Sequence, residues 1–183
     1  MKNLIVSILL TASLNGFGQK MLLDVLPLKN GIVFYSDVIE VDSIDKYELY
    51  KRAKRWFVES YKDANKVIQL DDKDSGEIIG KGSFDALWNA TFVASHVVNV
   101  GHTVKIQVKD GKYRYEITDF RVRYVTSSTQ YTSSSLVDYP IETWNMERPA
   151  NTRKFLPQVN LSVAKLIDSM NNYMTTKPTN KDW

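Results

Sequence analysis

The sequence contains no cysteine among its 183 residues, which excludes disulfides, thiolate metal sites, cysteine nucleophiles and the lipid-modified cysteine that ends a lipoprotein leader. The fold must therefore stand on packing. A dominant charge is missing too: 24 Lys and Arg against 21 Asp and Glu leave a net charge of only +3. That is far short of the excess that holds nucleic acid or an anionic membrane by charge alone. Histidine is scarce, with His96 and His102 the only two, so a zinc site would need carboxylates to complete it. Long apolar runs are also lacking; the longest is the stretch at the start, shorter than the roughly 20 residues a membrane helix needs.

What is present reads as one globular domain, 43% hydrophobic and 25% charged, long enough to bury a core. The first residues have the layout of a cleaved secretory signal. Met1-Lys2-Asn3 is positive, Leu4 to Leu14 is uncharged and mostly apolar, and Gly16-Phe17-Gly18 supplies small residues before Gln19. The expectation is a signal peptide over 1–18 and a single domain over 19–183 that is exported, periplasmic or extracellular, and soluble once cleaved. Its polar tail, 175–183, is expected to be loose.

Periodicity supplies the elements. Residues 32–41 are rich in β-branched and aromatic types after the turn signal Asn30-Gly31 and predict a first strand. Asp45 with Glu48 forms a capping box, and Ile44 with Leu49 a hydrophobic staple, so a helix is expected from Lys46 to Tyr61. Its packed side would carry Leu49, Tyr50, Ala53, Trp56, Phe57 and Tyr61. Its wet side would carry Glu48, Lys51, Arg52, Arg55 and Glu59. Strands over 66–71 and 77–83 flank a turn, and residues 84–95 give no clear period. Val98, Val100, Val104, Ile106 and Val108 alternate with polar residues as in a half-buried strand that ends at a type I′ turn, Asp110-Gly111. On the return strand the apolar parity switches between Ile117 and Phe120, which calls for a bulge near Thr118. Residues 124–139 read as a polar loop or fraying strand end. An apolar stripe from Val159 to Met174 predicts a last helix just after Pro157, with Leu166 as a core anchor. The fold class is α+β: an antiparallel sheet of about five strands with two helices on one face, in the order β-α-β-β-β-β-α.

The segments Asp45 to Trp56, Val67 to Asp72, Gly76 to Gly82 and the Asp110-Gly111 hairpin together resemble an exported family of unknown function, common in Bacteroidetes and described as having a TBP-like fold. The resemblance implies the same element order. It brings no activity and no site residues. The TATA-binding proteins that give the fold its name bind DNA through a basic curved sheet, and this near-neutral chain departs from that pattern.

Other constellations have bland explanations. His96 and His102 would share the core-facing side of one strand. Asp71, Asp72, Asp74 and Glu77 lack the spacing of a calcium loop and fit a solvated hairpin end. Gly80-Lys81-Gly82 lacks the rest of a phosphate loop, and its glycines would let a helix approach the sheet. No catalytic, cofactor-binding or metal residue is assigned. The leading expectation is a non-catalytic binding or interaction domain whose partner is a protein or a cell-envelope component, not nucleic acid. Its contact surface would be the sheet face at Lys105, Gln107, Arg114 and Glu116, or the Ser/Thr/Tyr loop at Tyr131 and Tyr139. The rivals are a carrier of an apolar ligand between the last helix and the sheet, and an envelope-directed hydrolase.

Overall fold

The computed structural model describes residues 25–61, 64–90, 95–127, 134–143 and 149–176. The expected signal peptide, Tyr131 and the end of the tail lie outside them. A small hairpin comes first, β1 (Leu28–Lys29) and β2 (Ile32–Val33), joined by Asn30 and Gly31 at φ 53° and 79°. Both turn residues are left-handed, as a type I′ turn requires. Strand β3 (Tyr35–Glu40) follows, so the first expected strand is divided between two sheets.

Helix α1 (Lys46–Ser60) starts where its capping box predicts, with the Asp45 carboxylate accepting from the Glu48 amide at 2.8 Å. Its buried face is the expected one with one correction: Arg52, placed on the wet side by helical angle, is 7% exposed. It is held by Glu48 and donates from Nη1 to the Met174 carbonyl at 2.9 Å, where the last helix ends. A cation there meets both unsatisfied carbonyls and the negative end of the helix dipole. Arg52→Ala is expected to cost about 1.5–3 kcal/mol, the range for a hydrogen bond to a charged group, read as a lower urea midpoint at unchanged slope.

A four-residue helix, α2 (Ala64–Val67), takes the place of the start of the next expected strand, leaving β4 (Ile68–Asp72). Strands β5 (Glu77–Ala90), β6 (Ser95–Lys109) and β7 (Lys112–Ser127) are long, and β5 accounts for most of the stretch that had no clear period. The segment read as a polar loop instead ends in β8 (Ser134–Pro140). The main sheet is antiparallel with six strands, ordered β3-β7-β6-β5-β4, and β8 also pairs with β7. Strands β3 and β8 thus lie end to end along one side of β7. They meet near the bulge, where His102 faces the extra residue between Thr118 and Arg121 and Asp119 has φ 56°. The register is the one parity demands: Val108 opposite Tyr113, Ile106 opposite Tyr115, Val104 opposite Ile117, Val100 opposite Val122.

The β6–β7 turn differs from its expected type. Gly111 has φ 73°, but Asp110 is not among the left-handed residues. Docking explains the change: the Asp110 carboxylate accepts from the Lys46 amide at 2.7 Å, and the Gly111 amide donates to the Ile44 carbonyl at 2.9 Å. The turn conforms to the start of α1.

Both long helices cover the face that carries Val98, Val100, Val104 and Ile106. Helix α3 (Pro149–Thr175) begins well before its expected start, with Pro157 inside it. Phe155 and Leu156, 0% and 1% exposed, extend the apolar stripe upstream, so packing carries the helix through a proline that forfeits one main-chain bond. Val159, Val163, Met170 and Met174 are buried, whereas Leu166 is only half-buried and is not the expected anchor. Polar ties fix the helix: Tyr35 Oη donates to Asn160 at 2.8 Å and Tyr113 Oη to Asn171 at 2.6 Å. Among the described residues no helix is long and apolar enough to cross a membrane.

Candidate functional site

The uncovered face of the sheet carries the outward parity of each strand and is mostly polar, with exposed Val38, Leu70, Leu87 and Val97 among the polar residues. At the hairpin end, four of the expected contact residues do come together. Lys105 sits beside Glu116 and Gln107 beside Arg114 in the ladder. They are already engaged: Lys105 pairs with Glu77 at 3.2 Å, Gln107 Nε2 donates to the same carboxylate at 2.6 Å, and Arg114 pairs with Glu116. Tyr139 does not join them. It lies opposite Val122, whose side chain points to the core, so it sits on the helix-covered side of the edge strand and is 48% exposed.

Further along the same outer face a groove of about 690 Å³ opens. Its floor is three rows: Asp85, Asn99 and Arg123; Ser83, Gly101 and Arg121; then Lys81 and Thr103, with Asp119 of the bulge beside them. Gly101 stands at the centre with no side chain, which makes the surface concave, and the Arg123 guanidinium lies over it. A Cβ on Gly101 would come within 3.1 Å of Arg123 Nη1. One carboxylate holds both arginines. Asp138 on β8 accepts from Arg121 Nε at 2.7 Å and from Arg123 Nε at 3.2 Å. Burial would raise that carboxyl, but the two guanidinium bonds outweigh it and keep it below its ordinary range. Because Asp138 engages both Nε atoms, two cationic forks stand side by side in fixed orientation. Around them Asn99 donates to Asp85 at 3.1 Å and Thr103 to Asp119 at 3.2 Å. Lys81 is exposed and, among the described residues, has no partner.

The groove continues to the edge of the sheet, where Ser60, Tyr61 and the α2 residues Lys66 and Val67 form its wall. Behind it lies His102, 4% exposed, with ring contacts to Phe84 at 5.3 Å and Phe120 at 6.1 Å. Its Nε2 is hydrogen-bonded to Tyr61 Oη at 2.9 Å, and its Nδ1 is buried without a partner. Burial pushes the imidazole down to about 4, and the nearby Val100 carbonyl opposes this only in part. The ring is neutral near pH 7, and among the described residues no acid is bonded to it. The His96 side chain lies outside what is described. Among the described residues no three imidazole or carboxylate groups converge as metal ligands would. Asp72 instead closes its turn, accepting from the Asp74 and Ser75 amides at 3.0 and 3.1 Å.

The contact residues expected from the sequence, Lys105, Gln107, Arg114 and Glu116, lie on two of this groove's strands, further along toward the β6–β7 turn. One signal was available: Gly101 interrupts the polar parity of an otherwise regular strand, and Arg121 and Arg123 share that parity after the bulge.

Comparison with known proteins agrees with this architecture. Residues 35–123 match the family model described as a domain of unknown function (DUF4468) with TBP-like fold. The crystal structure of a TBP-like protein from Parabacteroides distasonis superposes with a TM-score of 0.63 at 20% identity, covering 81% of this chain and 96% of that one. A DUF4468 family protein from Bacteroides ovatus gives a TM-score of 0.63 at 14% identity, over 85% of this chain and 94% of that one. At such identities the likeness speaks for the fold. No curated protein matches the sequence. Over residues 35–123 the chain matches the DUF4468 family model, and the two solved structures share its TBP-like fold.

Proposed function

We propose that the protein is a non-catalytic interaction domain that works outside the cytoplasm, with the groove around Gly101 as its contact surface and a protein or envelope component as its partner. The single observation that carries this reading is the groove itself: a concave, polar surface on the uncovered sheet face, with two arginine forks fixed by Asp138 and an unengaged Lys81. Fixed orientation lowers the ordering cost of binding. The mixed charge favours a partner that also carries both signs over a polyanion, since Lys105, Arg114, Arg121 and Arg123 are each already matched to a carboxylate. The leader pattern at residues 1–18 supports export.

The test is capture of partners from a native envelope fraction by the protein starting at Gln19, compared with a Gly101→Phe variant. The phenyl group would fill the groove, and the atoms nearest its Cβ are the movable end of Arg123, so folding is expected to be retained and capture lost. A variant that captures the same partners as the parent would move the contact surface elsewhere.

A further inference from the structure

Strand β5 is an inner strand along only part of its length. On one side it pairs with β6 throughout, but on the other β4 reaches only from Glu77 to Gly80, where Ile68 stands opposite Gly80. The direction of the main-chain groups beyond that point follows from two contacts. The Leu87 amide points away from β6, because it donates to the Gln158 side chain at 3.1 Å. The Val108 amide on β6 points toward β5, because it donates to the Gly76 carbonyl at 2.9 Å. Alternation along both strands then sends the N–H and C=O of Lys81, Ser83 and Asp85 outward, over the stretch that has no second strand partner among the described residues. All five residues from Lys81 to Asp85, of both parities, border the groove. The open edge and the groove are one continuous space. On the far side of the sheet β3 and β8 fill the corresponding edge end to end; here, among the described residues, β4 has no such companion.

We propose that residues 81–85 of β5 form a docking lane for an extended segment of a partner protein, about five residues long and spanning about 17 Å, which adds to the sheet as a strand. Three alternate residues that each present a donor and an acceptor are matched by an extended main chain, not by a sugar or a lipid. The lane is bounded by Ile68 at one end and by Gln158 at the other, so the segment must turn away after this span. That bound also argues against a second copy of this chain. Antiparallel self-pairing about Ser83 would set Lys81 opposite Asp85, but Ala86 of the second copy would fall where Ile68 lies. On the outer face the segment meets exposed Lys81 and Asp85, so it should carry an acidic residue at one end and a basic residue at the other. On the inner side it meets Gly82 and Phe84, so small or β-branched apolar residues belong between them.

The proposal rests on the groove reading and is tested apart from it. The probe is the peptide Lys-Val-Thr-Val-Glu with blocked termini, titrated into the protein starting at Gln19, with amide exchange followed by NMR. The Lys81, Ser83 and Asp85 amides should become at least tenfold more protected while the β6 and β7 amides stay unchanged. The same peptide N-methylated at threonine, and a Lys-Val-Thr-Val-Lys peptide, should bind at least tenfold more weakly. Ser83→Pro should do the same from the protein side, because its N–H faces outward and the β6 ladder does not need it. The N-methylated peptide keeps the test valid if that variant folds poorly. Unchanged exchange at the three amides with peptide in large excess, or equal binding of the N-methylated peptide, overturns the lane. Protection that rises with protein concentration alone overturns it in favour of a second copy. Either result, combined with loss of envelope capture in Gly101→Phe, leaves the groove standing without the lane.

Discussion

A methyl group added at Gly80 is expected to destabilise the protein by about 1–3 kcal/mol, although alanine is no worse than glycine in a strand. The reason is the closeness of α1. A Cβ on Gly80 would lie 2.4 Å from Phe57 Cε1 and 3.0 Å from its Cδ1. That ring is 0% exposed and cannot retreat, because Trp56 packs edge-on at 4.9 Å and Tyr61 stacks at 6.0 Å. Phe57→Ala alone should cost about 3–5 kcal/mol by leaving a cavity. The double variant should then be less damaged than the sum by about 1 kcal/mol or more, since the new methyl group enters space the ring has left. Gly101→Ala is the control, because its nearest neighbour is the movable end of Arg123, and it should be close to neutral. Urea unfolding of the parent and the four variants decides the matter. If Gly80→Ala and Phe57→Ala add within about 0.5 kcal/mol, α1 is not seated on β5 at this point.

The seat on β5 also shows where the sequence could and could not be read. Gly80 and Gly82 were legible as points where a helix approaches the sheet, but which helix was not. Phe57 of α1 and Tyr61, the residue that caps its end, occupy the two positions. Periodicity reports which face of a helix is buried and not what it is buried against. The bulge at Asp119 was legible because one extra residue reverses parity for every side chain after it. Strand β8 was not, because an edge strand exposed on both sides need not alternate, and Leu136 at 71% and Tyr139 at 48% exposure follow no pattern. Arg52 went unread since helical angle says nothing of a carbonyl 122 positions away. The groove shared that fate. Its arginines, its glycine and Asp138 come from three strands, and only the register brings them together.

His102 makes the stability of the fold depend on pH in a window of its own. An unfolded histidine titrates near 6.5, whereas burial pushes this one down to about 4. Between those values the unfolded chain binds a proton that the folded chain refuses. Stability is therefore fully present above about pH 6.5 and is lost as pH falls toward 4, by up to about 3 kcal/mol. Geometry gives the same sign: protonation would put a charge and a second N–H donor on a ring whose Nδ1 is buried without a partner. The carboxylates held low by their partners, Asp71 by Lys54 and Tyr50 and Asp138 by its arginines, lose their contribution mainly below about pH 4, so they overlap little with this window. His102→Phe should remove the slope. It should also cost about 1 kcal/mol at every pH, because the half-buried Tyr61 hydroxyl loses its partner. The variant is then the less stable protein at pH 7 and the more stable one near pH 4.5. Urea midpoints measured every half unit of pH from 7 to 4 would reveal the crossing, and any contribution from His96 cancels in the comparison. Parallel curves for the two proteins would mean that His102 titrates as it does in the unfolded chain, and the buried, neutral ring would have to be abandoned.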